Sequence, residues 1–405
     1  MDTLYGRIAN MAKELEKDTI RFLMDMVRVP SFSCREKEVI QVIKKEMEQA
    51  GFDEVRIDGL GNVIGRIGSG PRVIAFDAHI DTVGTGDLDA WKGGGPFDPR
   101  VEDGNVYGRG TVDQEGGMAS MVCAGRLIKD LQLNDQFTVL FTGTVMEEDC
   151  DGLCWQYLIK EENIRPELVV ITEPTNMNIY RGHRGRMEIR LTFFGRSCHG
   201  SAPERGDNAI YKASLTALEI DKLNKRLKND PFLGKGTVTV TQITSSSPSL
   251  CAVADGATLH LDRRLTHGET RESAMAEVAD AARRAGLKDA DFRIEVLQYN
   301  EKAYTGLAYL TEKYYPTWVM PEDSPFLKQA TEAYQGVLGK KPLVDKWTFS
   351  TNGIATAGMY NIPTLGLGPG NEVFAHAPNE HCPVEHLSGA AAFYAALVAH
   401  MNGKA

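Results

Sequence analysis

Apolar positions in the first part of the chain recur first at helical and then at strand spacing. Ile20, Leu23, Met24 and Val27 share one face of a helical repeat, as do Val39, Val42, Ile43 and Met47, which predicts two helices before about residue 52. Short, nearly continuous apolar runs follow (NVIGRI, RVIAFDAH, FTVLFTGT and ELVVIT), separated by helix-length segments such as GMASMVCAGRLIKDL and LCWQYLIKEE. Strands buried on both faces read as continuous apolar runs, so this alternation predicts an α/β sheet with helices on both faces. After residue 182 the texture changes. RMEIRLTFFG, TVTVTQI and TLHLDRRL alternate apolar and polar positions, NAIYKASLTALEIDKLNKRL and ESAMAEVADAARRAG keep helical spacing, and FRIEVLQY closes the series. That order predicts a small α+β unit of ferredoxin-like β-α-β-β-α-β type. Near residue 300 the α/β texture returns with SPFLKQATEAYQGVLG and IPTLGLG, so the expected domains are 1–182 with 300–405, and 183–299 inserted between them. Residues 301–325 are rich in aromatic side chains, which are expected to pack over the junction.

Length agrees with two domains, because 405 residues exceed what one hydrophobic core supports. A net charge of −10 argues against nucleic acid or an anionic membrane as a partner. No stretch approaches the roughly 18 apolar residues of a spanning helix, and the N-terminal segment lacks the apolar core of a signal peptide. A cytoplasmic location is the expectation. Seven scattered cysteines without a C-x-x-C pair predict reduced thiols rather than disulfides or a structural zinc site.

The candidate chemistry lies where the apolar runs stop. In FDAHIDTVGTGD, side chains alternate, so Asp77, His79 and Asp81 share one face of the strand end. An imidazole there can bind a divalent metal while a neighbouring carboxylate fixes its tautomer. Taken singly, this reads as a solvated strand end, but it recurs. Asp113 follows a glycine-rich turn, Glu147 and Glu148 end FTVLFTGTVMEED, Glu173 ends LVVITE, and His376 follows the last strand. Adjacent Glu147 and Glu148 point to opposite sides, so one suits a metal and the other a base. Ligands of open α/β sheets bind beyond the carboxyl ends of the strands. Five donors (His79, Asp113, Glu148, Glu173 and His376) exceed one open tetrahedral site but fit two metals sharing Asp113.

AHIDTV, YGRGTVDQEGG, VMEED, ITEPT, SCHGSAPERGDNAI, LDRRL and FAHAPNEH occur in this order. In that set the chain resembles the M20 co-catalytic metallohydrolases, the group of acetylornithine deacetylase, succinyl-diaminopimelate desuccinylase and glutamate carboxypeptidase. It looks nearest to the branch linked to selenium metabolism and purine catabolism. The resemblance implies an α/β/α sandwich catalytic domain with an inserted lid and dimerisation domain, hence a homodimer. It implies two divalent metals, zinc first, with cobalt or manganese as alternatives. His79, Asp113 and Glu173 would hold one metal, and Asp113, Glu148 and His376 the other. Asp81 would orient His79, Glu147 would be the general base, and the Asp113–Gln114 peptide would be cis. His199 matches a lid histidine that reaches the partner's site, and Arg264 an arginine that anchors a substrate carboxylate. Asn352 and Gly370 are further substrate-binding candidates.

Three positions depart from the family pattern: Glu115 stands where lysine is usual, Cys251 where asparagine is usual, and FSTNG replaces a glycine-threonine-aspartate motif. All three are expected to bear on the substrate pocket. The expected function is hydrolysis of an amide bond in a small N-acyl amino acid or related compound. Metallopeptidase and N-carbamoyl amino acid hydrolase are the alternatives. Glu173 favours the deacylase and carboxypeptidase side, because dipeptidase-like relatives tend to carry aspartate there. A non-catalytic zinc-binding protein is the competing class, and retention of Glu147 weighs against it.

Overall fold

The computed structural model describes residues 3–405. Its large sheet runs in the order Glu54–Ile57, Val63–Ile67, Phe137–Thr144, Arg72–His79, Leu168–Ile171, Thr364–Gly366, Ile179–Tyr180, Val344–Asp345. Four central strands, Phe137–Thr144, Arg72–His79, Leu168–Ile171 and Thr364–Gly366, are mutually parallel. All four residues of Leu168–Ile171 are buried, and Arg72–His79 is buried from Ile74 onward. Alternating side chains buried on both sides require cover on both faces, which gives the α/β/α arrangement. The helix Val384–Met401 is apolar almost all round and packs against Glu115–Asp130, Leu4–Glu14 and Pro325–Leu338.

A second sheet is antiparallel, in the order Thr237–Ser246, Gly256–Leu265, Gly185–Phe194, Phe292–Val296. With helices Ala209–Arg226 and Arg271–Arg284 this is the ferredoxin-like order, second, third, first, fourth. Gly256–Leu265 alternates buried with half-buried positions along its whole length, as a sheet covered on one face does. Met187, Ile189, Leu191, Leu259, Leu261 and Val278 belong to a core separate from that of the large sheet.

The chain passes between the units at Gly182–His183 and Trp318–Val319, which pair with each other. His183 is buried there. Its Nδ1 donates to the Arg184 carbonyl (2.9 Å) and its Nε2 accepts from the Trp318 indole (2.8 Å) and the Thr351 amide (3.1 Å). Burial pushes its pKa down to about 4, so it is the neutral ring that fits. The aromatic stretch packs as expected: Tyr315 and Trp318 are buried and the Tyr304 hydroxyl donates to the Gly61 carbonyl. All seven cysteines are free thiols.

Candidate active site

The parallel strands end together, and the turns beyond them bring the acidic and imidazole groups into one cleft of about 300 Å³. His79 is the last residue of its strand. Its Nδ1 donates to the Asp81 carbonyl oxygen (2.9 Å), which orients the ring and leaves Nε2 facing the cluster. His79 Nε2 lies 2.9 Å from Asp113 Oδ1 and 3.5 Å from Glu173 Oε1. His376 Nε2 approaches the other oxygen of Asp113 (3.2 Å) and Glu148 Oε2 (3.1 Å). One carboxylate thus presents an oxygen to each of two imidazoles. The peptide after it, Asp113–Gln114, is cis.

His79 is held by the backbone carbonyl of Asp81 and not by the carboxylate expected to orient it. That carboxylate stands 3.5 Å from the ring, but accepts the backbone amides of Glu147 and Glu148 (both 3.1 Å) and the Ser33 hydroxyl (2.6 Å). Asp81 therefore sets the turn that carries both glutamates. Glu147 is buried, with Oε2 3.9 Å from His79 Nε2. Among the described residues, Glu147 Oε1 and Glu173 Oε2 have no hydrogen-bond partner.

Crowding sets the ionisation of these groups. Burial pulls the His79 pKa down, but Glu173 and Glu147 outweigh it and hold it well above its usual value. His376 is pushed up to about 10 by its bonds to Asp113 and Glu148. Burial raises Glu147 and Glu173 well above the carboxyl range and Glu148 to about 7. Burial acts on Asp113 in the same direction, but the two imidazoles hold it below its usual value. The cluster carries more buried acid than its histidines neutralise. Donor atoms of His79, Asp113 and Glu148, and of His79, Glu147 and Glu173, lie within 4.8 Å of one another. Hard oxygens, imidazole and unpartnered buried carboxylate oxygens together fit divalent metal.

The other wall of the cleft comes from the small sheet, where Arg186 and Arg264 face each other across neighbouring strands. Arg264 makes a two-point ion pair with Asp262 of its own strand (2.8 and 3.1 Å), so it lines the cleft and closes a salt bridge at once. Arg186, which sequence reasoning passed over, pairs with Glu188 (2.6 Å) and stands 3.8 Å from Asp151. Ser350 lines the floor and donates to Asp151.

Several expected residues lie elsewhere. Asn352 is buried behind the cleft: its amide donates to Asp77 (2.9 Å) and Thr144 (3.1 Å) and its oxygen accepts the Gly152 amide. No group is left for a substrate. Gly370 has φ +81°, its amide donates to His386 Nδ1 (3.3 Å), and a Cβ there would meet Val112 at 2.9 Å. It serves the turn before His376 and does not line the cleft. His199 is exposed on the small unit, accepting the Ser201 amide (3.1 Å), and is also outside the cleft. Of the three departures, only the Phe349–Ser350 stretch reaches the cleft, whereas Glu115 is buried against Gly110 and Cys251 is exposed. The strand before Asp113, Asn105–Tyr107, belongs to a separate ribbon with Arg100–Glu102 and His381–Pro383 rather than to the large sheet.

The sequence profile of peptidase family M20/M25/M40 matches residues 75–400. The chain belongs to this family. An M20 metallohydrolase acts on amide or peptide bonds, and this chain is a metal-dependent hydrolase of that class. It is 54% identical over 390 residues to the uncharacterized protein YgeY of Escherichia coli K12, covering 96% of each. It is 28% identical over 396 residues to the succinyl-diaminopimelate desuccinylase of Acinetobacter baylyi, covering 93% of this chain and 97% of that one. Among solved structures, the Bacillus subtilis YxeP protein, a dinuclear metal-binding M20 peptidase, superposes with a TM-score of 0.71 at 17% identity, over 97% of this chain and 100% of the other. At that identity the likeness concerns the fold. The M20 fold thus accounts for both sheets.

Proposed function

We propose that this protein is a di-metal amidohydrolase that cleaves the amide bond of a small N-acyl amino acid or related compound. His79, Asp113 and Glu173 would hold one divalent ion, and Asp113, Glu148 and His376 the other, with zinc the first candidate. When bound, the ions supply a Lewis acid for the carbonyl oxygen and lower the pKa of water. Glu147 accepts a proton from the attacking water and returns it to the departing amine as the carbon–nitrogen bond breaks. Asp81 holds Glu147 in place through its backbone amide. Arg264, with Arg186 beside it, meets the acidic end of the substrate.

The observation that carries this reading is Glu147, a buried carboxyl inside the donor cluster whose Oε1 has no partner among the described residues. The desuccinylase relative supports the deacylase side, and the peptidase likeness keeps dipeptide cleavage as the second reading.

A homodimer through the small unit is part of the proposal, with His199 serving the partner's cleft. Tyr211, Leu215 and Leu218 on one exposed helix, and the uncovered edge strand Thr237–Ser246, are suited to such a contact. No helix among the described residues is long and apolar enough to cross a membrane.

The test is a panel of N-acetyl, N-succinyl, N-formyl and N-carbamoyl amino acids and dipeptides, run with metal-loaded wild type and Glu147→Ala. Wild type is expected to hydrolyse at least one class and the variant none. Equal hydrolysis by both would sink the assignment of the base.

A further inference from the structure

Asp113 and His376 meet in the cleft although they arrive on segments from opposite ends of the chain, and one buried carboxylate joins those segments. Glu380 is fully buried. Its Oε1 accepts the backbone amides of Val112 (2.7 Å) and Asp113 (3.0 Å), and its Oε2 accepts the Arg109 guanidinium (2.6 Å). Arg109 is itself buried. It also reaches the carbonyls of Gly84 (3.1 Å) and Ala377 (3.4 Å), the latter beside His376. The Gly108 amide donates to the Glu380 carbonyl (3.0 Å), and His381–Pro383 pairs with Asn105–Tyr107 just beyond.

Every oxygen and both flanking strands at Glu380 thus tie the segment bearing His376 to the turn bearing Asp113. Among the described residues, no other side chain accepts the Val112 and Asp113 amides. The turn lies outside the large sheet, and Gly108 and Gly110 in it have φ of +151° and +91°, so it lacks ladder bonds of its own. A buried ion pair is a poor source of stability, because two charges must leave water. It does fix one geometry, since either partner left alone is an uncompensated buried charge.

We propose that Glu380 is a positioning residue for the metal centre: by holding the Asp113 backbone, it presents one carboxylate oxygen of Asp113 to each histidine. The role rests on the ligand set given above. Glu380 touches neither metal nor substrate, so its loss acts through the affinity of the ions, first of all the one shared by Asp113, Glu148 and His376. Groups that orient metal ligands are typically worth about 10- to 100-fold in affinity.

Glutamine at this position cannot serve both sides. If its oxygen accepts the two amides, its NH₂ faces the Arg109 guanidinium; turned over, it sets donor against donor at Val112 and Asp113. Aspartate keeps the charge on a shorter arm and serves as a second variant should Glu380→Gln not fold. Asp58→Asn is the matched control, a buried carboxyl that accepts the Gly61 (2.8 Å) and Asn62 (2.9 Å) amides away from the cleft.

Metal-free wild type, Glu380→Gln, Glu380→Asp and Asp58→Asn would be titrated with Zn²⁺ by calorimetry against a competing chelator, with folding followed by circular dichroism. The expected result is two ions in wild type and in Asp58→Asn. Both Glu380 variants should stay folded, with the ion held by Asp113, Glu148 and His376 weakened at least tenfold and the other, which also uses Asp113, weakened less. Saturating Zn²⁺ should restore kcat with KM unchanged. A general loss of packing would instead lower the circular dichroism signal and leave kcat low at any metal concentration, which overturns the proposal. So do two ions bound as tightly as in wild type. Wild type that takes up no divalent ion overturns the functional reading itself, an outcome distinct from either.

Discussion

In the large sheet, Arg72–His79 lies between parallel neighbours and is buried up to its end; in the small sheet, the edge strand Thr237–Ser246 is exposed along its second half. Polar groups fare differently in the two settings. At the carboxyl ends of the parallel strands, Asp77, His79, Glu147 and Glu173 are withdrawn from water and shift one another's ionisation. On the small sheet, Arg264 and Arg186 stay paired with acids of their own and neighbouring strands. One unit concentrates charge where chemistry is done, while the other supplies a wall and a surface.

The sharpest way to break this contrast is at the base. Glu147→Gln is expected to lower kcat by about 10²- to 10⁴-fold at full metal occupancy, measured by single-substrate kinetics beside metal analysis. Next, Phe76→Ala in the large core should cost about 3–5 kcal/mol in urea unfolding. Third, His183 ties the two units together as a neutral ring. Above its ordinary value of 6.5 its contribution is complete, and as pH falls from there towards about 4 the unfolded chain takes up a proton that the folded chain refuses. Stability should therefore fall over that window, by on the order of 3 kcal/mol from this residue, with a flatter profile in His183→Gln. Fourth, Arg264→Ala should raise KM for acidic substrates about 10- to 100-fold with a smaller change in kcat. Smallest in stability terms, Tyr211→Ser with Leu218→Ser should stay within about 0.5 kcal/mol of wild type, yet give a monomer in sedimentation. A stable dimer would place the interface elsewhere.

These expectations were partly legible in the sequence. The parallel strands announce themselves as apolar runs such as LVVI, and the groups just after them fall into the cleft because strand ends and turns are short. His79, Glu147, Glu148 and Glu173 were readable for that reason. Asp113 was readable by motif but not by position, since its turn belongs to a separate ribbon. Asn352 and Gly370 misled because a motif gives proximity in the chain, not which side of a wall a side chain faces. Asn352 points inward to Asp77, and Gly370 is required by a left-handed turn. Glu380 stands in FAHAPNEH, one of the motifs that carry the family resemblance, but the motif gave it no role. Its burial depends on closure against Arg109, 271 positions earlier, which local sequence does not display.

His376 meets Glu148 across 228 residues of chain, with the whole small unit between them. During synthesis, which runs from the N-terminus, every other donor of the cluster emerges well before this histidine, and the insertion can fold in the interval. The centre is therefore completed last, when the final strand and helix dock. On the proposed ligand set, a chain stalled before His376 would lack one donor of the shared site, so the order of the elements would delay activity until that segment has docked.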